Sequence, residues 1–447
     1  MDRSKPAALI IGGGIAGIQA ALDIAEAGYP VYLVERESSV GGRMAQLDKT
    51  FPTLDCSSCI LTPKMVDVGQ HPLIELMTYS EVVTVEGEEG SFRVTVRKKP
   101  RYVDVDKCTG CGLCAEACRM HGRVIDVFNQ GLGKRAAVYV PFPQAVPLVY
   151  TVDPDACLYL TRGVCGKTFK CKDACPADAI DFEQKEQFVE VEVAAIIVAT
   201  GFDLIDPRTK PEFGYGVYPN VLTGLEFERL SSASGPTMGE ITLNGKKPKD
   251  VVFIQCVGSR DPHTGVPYCS RFCCMYTAKH AHLVRDKIPD ARITVFYMDV
   301  RAFGKGYEEF YDRVKHERVI YRRGEPAEVY RRGGRGDRSG RLVVLAEDTV
   351  LGKPIEIEAD LVVLATAVVP RTDASEVAAL LGLERSPDGF FQEAHPKFRP
   401  VDTPIDGVFL AGCCQGPKDI PDTVAHAKAA ASSALVVLAQ GGETRPA

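Results

Sequence analysis

An α/β chain with two dinucleotide-type parallel sheets and an inserted cysteine-rich α+β module is the fold that three features predict. The first is a strand, a glycine turn, a helix and an acid-ended strand between Ala8 and Glu35. The second is a pair of later apolar strands, 193–201 and 360–366, each carrying Ala-Thr at its end, followed by a last strand at 407–412. The third is a group of eight cysteines between Cys108 and Cys175.

Each part of the opening unit has a physical task. Ala8-Leu9-Ile10-Ile11 reads as a buried strand, and the helix after the turn runs to about Gly28. Gly12 allows the tight turn, Gly14 lets the backbone approach a pyrophosphate, and Gly17 permits close helix–strand packing. The helix N-terminus faces the phosphates, and Glu35, at the end of the second strand, accepts from ribose hydroxyls. A lone Gly-x-Gly-x-x-Gly is weak evidence; strand, turn, helix, strand and acid in order is strong. Gly41-Gly42-Arg43 adds the further turn of FAD-binding members, so Gly42 and Arg43 join the candidate cofactor site. Gly412 closes the last strand, which is expected to run toward the flavin ribityl chain. The order resembles the two-dinucleotide-binding, disulfide-oxidoreductase-like flavoprotein fold, with the FAD domain made from both ends of the chain.

Cys108, Cys111, Cys114 and Cys118 follow the C-x2-C-x2-C-x3-C rhythm of a ferredoxin that holds two [4Fe–4S] cubanes. Cys157, Cys165, Cys171 and Cys175-Pro176 form a looser second run. In such ferredoxins the fourth cysteine of a run ligates the other cluster. One cubane is therefore expected on Cys108, Cys111, Cys114 and Cys175, the other on Cys118, Cys157, Cys165 and Cys171. Two zinc–thiolate sites are the alternative, but zinc has no need of that rhythm followed by a distant Cys-Pro.

The second nucleotide domain should open near Asp250, with a strand at Val251–Ile254. Its turn reads Gln255-Cys256-Val257-Gly258-Ser259-Arg260 and lacks the first two glycines. Side chains at Gln255 and Val257 are expected to obstruct a pyrophosphate, which argues against NAD(P). Cys256, Cys269, Cys273 and Cys274 follow, a candidate four-thiolate site of no common pattern.

At these residues the chain resembles the heterodisulfide reductase A-subunit family. The matching stretches are Asp55–Met65, Cys256–Asp261, Cys273–Tyr276 and Ala411–Asp419, beside the glycine turn and the inserted ferredoxin. The resemblance implies a third [4Fe–4S] cluster on Cys256, Cys269, Cys273 and Cys274 close to the FAD. It also implies that Lys279 sits by the flavin and stabilises an anionic reduced ring; an exposed helix lysine is the alternative. Cys56 and Cys59 are open between a flavin-facing dithiol, cluster ligands and a structural pair, because glutathione-reductase-like enzymes place a redox disulfide near this point. Cys413 and Cys414 are expected to be buried packing thiols. Larger family members carry an extra N-terminal cluster domain and a C-terminal ferredoxin, so a short form is expected.

The implied division is 1–95, 186–245 and 356–447 for the FAD domain, 96–185 for the two-cluster ferredoxin, and 246–355 for the degenerate nucleotide domain. The implied role is an electron-transfer oxidoreductase subunit, partnered by other subunits of a heterodisulfide-reductase-like complex. Ferredoxin or a hydrogenase- or dehydrogenase-type module are further candidate partners, and the core is expected to be a homodimer. Two rivals are a self-sufficient NAD(P)H oxidoreductase like glutamate synthase small subunits, tested by flavin bleaching, and a non-redox zinc scaffold, tested by colour. A net charge of −6 implies no nucleic-acid partner, and the apolar runs are too short for a membrane span. The Arg-rich stretch 322–341 reads as a solvated hairpin loop. Sixteen cysteines without a signal peptide suit a cytoplasmic chain doing metal and redox work.

Overall fold

The computed structural model describes residues 5–333 and 341–441. Two five-stranded parallel sheets organise it. The first has the order Val408–Leu410, Ala195–Val198, Ala8–Ile11, Val31–Glu35, Ile74–Thr78. The strands are near-continuous apolar runs because both faces are covered. On one face Ala8 and Ile10 meet the Ile15–Glu26 helix and the small stripe Ala427, Ala430, Ala431 and Ala434 of the Ile420–Gly441 helix. On the other, Leu9, Ile196 and Val198 pack on Val94, Val96, Val191 and Val193 of a three-stranded antiparallel sheet. Each such aliphatic side chain contributes roughly 1.5–3 kcal/mol when fully buried.

The second sheet has the order Val221–Thr223, Leu361–Thr366, Asp250–Val257, Arg292–Tyr297, Val319–Arg323. Strands at 221–223 and 361–366 thus belong to it, so boundaries near 245 and 356 do not follow the sheets. Leu361–Thr366 lies directly beside Asp250–Val257 near the sheet's centre, and the chain crosses back to the first sheet only after it. The crossing is a short antiparallel pair, Asp203–Leu204 with Val368–Val369.

The cysteine-rich module hangs from the antiparallel sheet. Lys98, where the chain leaves, and Gln187, where it returns, are direct partners in register. An insertion between paired residues leaves the sheet intact. Inside it are three short helices and two two-stranded ribbons around a small core that includes Cys114, Cys157 and Cys171.

The Arg-rich stretch is only partly a loop. Val319–Arg323 and Pro326–Tyr330 are strands, and Arg322 donates to Asp348 at 2.9 Å; residues 334–340 lie outside the described ones. No helix among the described residues is long and apolar enough to cross a membrane.

Arg229 holds the three units together. It is fully buried, and it donates to the Gln46 carbonyl (3.1 Å), Asn129 Oδ1 (2.9 Å) and Ser234 Oγ (3.2 Å), with its guanidinium over the Phe128 ring. Gln46 lies beside the glycine turn, Asn129 in the inserted module, and Arg229 on a helix of the second sheet's layer. Replacing Arg229 by Ala should cost on the order of 3 kcal/mol. Limited proteolysis should then cut within 99–186 before the rest of the chain unfolds. Cleavage unchanged in pattern and rate would show that the clamp is not needed for docking.

Candidate functional site

A cavity of about 900 Å³ runs from the glycine turn to the helix Cys273–Lys287. Gly12 has φ +110°, and a Cβ there would stand 2.5 Å from the Ala199 carbonyl oxygen. A Cβ on Gly17 would meet the Gly12 carbonyl at 1.9 Å. Gly14 differs: a Cβ there would reach no protein atom closer than Gly42 Cα at 4.0 Å, and Gly14 lines the cavity. Its missing side chain keeps room for a ligand. Gly42 closes the cradle from the other side at φ +53°.

Glu35 also lines the cavity. Its carboxylate accepts from the Gly13 N–H (2.6 Å) and the Glu37 N–H (2.7 Å), which aim it. Burial pushes the carboxyl up to about 7, against these two N–H groups. Arg43 reaches Asp203 at 3.0 Å on the cavity wall. Gly412 does not line the cavity; Ala411 and Cys413 do. A Cβ on Gly412 would crowd Ala16 at 2.8 Å, so that glycine serves the packing of the Ile15–Glu26 helix. Cys413 and Cys414 are buried, with sulfurs directed at the Lys418 and Val198 carbonyls.

The far wall is the Cys273–Lys287 helix, which presents Tyr276, Lys279 and His280 to the cavity. Lys279 is 1% exposed, not a surface lysine. Its Nζ donates to the Lys49 carbonyl at 2.8 Å and to Glu228 Oε1. His280 meets the same oxygen at 2.5 Å, and the Asp48 N–H donates to Oε2 at 3.0 Å. Burial opposes ionisation of Glu228, but Lys279 and His280 outweigh it and hold the carboxyl down at about 2. Burial lowers His280 against the pull of Glu228, and its buried Nδ1 has no protein partner.

The strand expected to stop at Ile254 continues through Val257, with a bulge and Cys256 at φ +59°. Gln255 and Val257 are buried at its end, so neither stands over a phosphate site as an obstruction. The helix begins only at Cys273, and its first turn carries Cys273 and Cys274. Cys273 donates to Cys256 and Cys274, and this lowers both, Cys274 to about 7, while Cys273 itself is raised. Cys269 is half-buried; burial opposes the charge on the Arg260 guanidinium, but its partner Asp299 and then Cys256 and Cys269 raise it. Tyr276, one turn on, is raised by burial and then by the charge of Cys273, Cys256, Cys274 and Glu228. It also lines the cavity.

The inserted module contributes Phe128, Tyr139 and Phe142 to the cavity wall. Its cysteines gather into two quartets. Burial raises Cys114 to about 12, followed by the charges of Cys108, Cys175 and Cys111. Burial raises Cys171 to about 11, followed by Cys118, and then Cys157 and Cys165. The latter four line one small recess with Arg119 and Phe169. These desolvated thiols favour their neutral form, and binding as thiolates needs the cationic iron of a cluster to offset mutual repulsion. No group of three or more Cys, His, Asp or Glu among the described residues closes on a single ion; a four-iron cluster spreads its ligands more widely. Cys56 and Cys59 form a disulfide and do not line the cavity. Glu228 and His280 belong to no motif that marks them in the sequence; for His280 the available signal is its place one helical turn after Tyr276, which closes the matched stretch Cys273–Tyr276.

These features define an FAD-dependent oxidoreductase carrying a 4Fe–4S binding domain. Family models of those descriptions, FAD dependent oxidoreductase and 4Fe-4S binding domain, match residues 8–53 and 101–121. Thioredoxin reductases of Lactococcus lactis (TM-score 0.52, 15% identity, 98% of this chain and 100% of that one) and T. acidophilum (0.51, 13%, 97% and 97%) share the fold. Over nearly its whole length the chain is similar to heterodisulfide reductase A-subunits. It is 57% identical over 437 residues to the second iron–sulfur A-subunit of the CoB–CoM heterodisulfide reductase of Methanopyrus kandleri. It is 53% identical to the A-subunit of the H(2):CoB-CoM heterodisulfide,ferredoxin reductase of Methanothermobacter marburgensis. Each alignment covers 97% of this chain and 64% of the relative, so the chain spans under two thirds of their length.

Glu35 gives a pH test. Its pKa is raised, so the carboxylate that ribose hydroxyls prefer is fully present only above about pH 7. FAD affinity should climb from acid pH and level off above that point. Glu35→Gln should flatten the profile and weaken FAD by about 1.5–3 kcal/mol. Equilibrium dialysis with FAD across the range reads both effects.

Proposed function

We propose that this chain is the FAD and iron–sulfur electron-transfer subunit of a heterodisulfide-reductase-like complex, working with other subunits. The observation that carries the reading is the Cys273–Lys287 helix. Its first turn holds Cys273 in hydrogen-bond contact with Cys256 and Cys274, and its next turns form the wall of the cavity. When bound, the flavin takes electrons in pairs and the clusters pass them singly.

Around that exchange the chain's own residues have separate tasks. Gly12, Gly14, Gly42 and Glu35 hold the dinucleotide. Phe128, Tyr139 and Phe142 of the inserted module cover the cavity and exclude water. Lys279 presents a fixed positive charge, steadied by Glu228 and the Lys49 carbonyl, that favours added negative charge nearby. Tyr276, one turn past Cys273 on the same helix, faces the cavity. The three cysteine quartets hold one [4Fe–4S] cluster each, with hydrogen bonds and burial setting the potentials.

About twelve irons and one FAD per chain are expected, from three four-iron clusters. Cys256→Ser should remove about four irons and leave the ferredoxin pair. Anaerobic iron and sulfide analysis giving eight irons in both forms would remove the third cluster.

Lys279→Ala should lower the flavin two-electron midpoint by more than about 30 mV, equivalent to about 1.4 kcal/mol, with FAD and iron content retained. Spectroelectrochemistry of the intact variant is the check. An unchanged midpoint would assign Lys279 to the Glu228 ion pair alone.

A further inference from the structure

Cys56 and Cys59 stand outside the cavity and outside the three quartets, yet their placement is that of a reactive pair. They close a disulfide with Cα atoms 5.2 Å apart, within the span such a bond needs. Cys56 is the N-cap of the 14-residue helix Ser57–Gln70, and the Cys59 N–H donates to its sulfur at 3.3 Å. Cys59 is exposed to solvent, with exposed Ile60 beside it, while Cys56 is half-buried. A helix N-terminus stabilises a thiolate, and a C-x-x-C pair there separates an accessible attacking sulfur from a sheltered resolving one.

We propose that Cys56 and Cys59 are a thiol–disulfide exchange site that trades two electrons with an external disulfide at the protein surface. In the reduced pair the Cys59 thiolate attacks one sulfur of R–S–S–R. That S–S bond breaks, a Cys59–S–S–R bond forms, and the departing R–S⁻ takes a proton. Cys56, deprotonated at the helix N-terminus, then attacks the Cys59 sulfur. The Cys56–Cys59 bond closes and the second R–S⁻ leaves and is protonated. The pair loses two electrons and two protons, and the external disulfide gains them as two thiols. Excess thiol drives the same steps backward.

The site is tied to the cavity wall without opening into it. Cys56 forms an antiparallel bridge with Lys49, whose carbonyl accepts from Lys279. Ser57 Oγ donates to the Met44 carbonyl at 2.7 Å, and Met44 lines the cavity. A backbone so anchored keeps the two sulfurs adjacent in both redox states.

The test uses the full-length chain with its FAD and iron, reduced and desalted anaerobically. It is then exposed to oxidised glutathione or, separately, to oxidised thioredoxin, followed by alkylation and peptide mapping. The unsubstituted chain should lose two alkylatable thiols, both at Cys56 and Cys59, and retain no adduct. Cys56→Ser should keep one mixed disulfide on Cys59. Cys59→Ser should react more slowly, by on the order of tenfold or more. Reaction with glutathione alone marks a small-molecule disulfide as the substrate, and reaction with thioredoxin marks a protein one. A pair that stays alkylatable against both, or an adduct mapped elsewhere, would overturn the proposal. So would loss of iron in either variant, which would make the pair cluster ligands. Failure with FAD and iron intact removes this site and leaves the electron-transfer reading standing.

Discussion

Two neighbouring residues, Glu228 and Arg229, carry the charges on which the arrangement of the molecule depends. Both are buried on one helix, and they face different partners. Arg229 directs its hydrogen bonds to join the first sheet's glycine-turn region, the inserted module and the second sheet's layer. Glu228 gathers Lys279, His280 and the Asp48 N–H at the cavity. Taking such ions out of water is costly, and removing one partner leaves the other stranded. The pair therefore fixes a single geometry: the module cannot shift without exposing Arg229, nor the Cys273–Lys287 helix without breaking the Glu228 cluster.

That rigidity bears on electron transfer. Residues beside the glycine turn, the inserted module and the Cys273–Lys287 helix all wall the cavity, and none can move without the others. The Cys273–Lys287 helix supplies thiols at one end and cavity-facing side chains one and two turns later, so the two sites cannot drift apart. The inserted module meets the same cavity through Phe128, Tyr139 and Phe142 while its own cysteines lie further out, with Cys111 at the surface.

Ligand chemistry was the most legible part of the chain. The glycine turn shows because a pyrophosphate leaves no room for side chains, and the C-x2-C-x2-C-x3-C run shows because a cubane fixes the spacing of its ligands. With the crossover of each run's fourth cysteine added to that rhythm, Cys108, Cys111 and Cys175 are the expected companions of Cys114, and these are the thiols whose charges reach it. Long-range electrostatics were illegible: Glu228 and Lys279 lie 51 positions apart, and Arg229 and Gln46 lie 183 apart. No local pattern marks either. Strand membership failed for a related reason. Leu361–Thr366 has the same apolar run whichever parallel sheet it joins, and only its neighbours decide. The turn after Ile254 was misplaced because Cys256 holds a left-handed backbone inside a strand, a strain that sequence does not announce.

The late start of the Cys273–Lys287 helix limits what re-engineering could recover. In a nucleotide-binding domain the helix follows the strand at once, and glycines between them make the cradle. Here Gln255 and Val257 are packed into the strand, 3% and 1% exposed. Substituting glycine at both would open holes in a core without moving the helix any nearer. The departure from a nucleotide cradle is architectural, and glycine at positions 255 and 257 would not restore one.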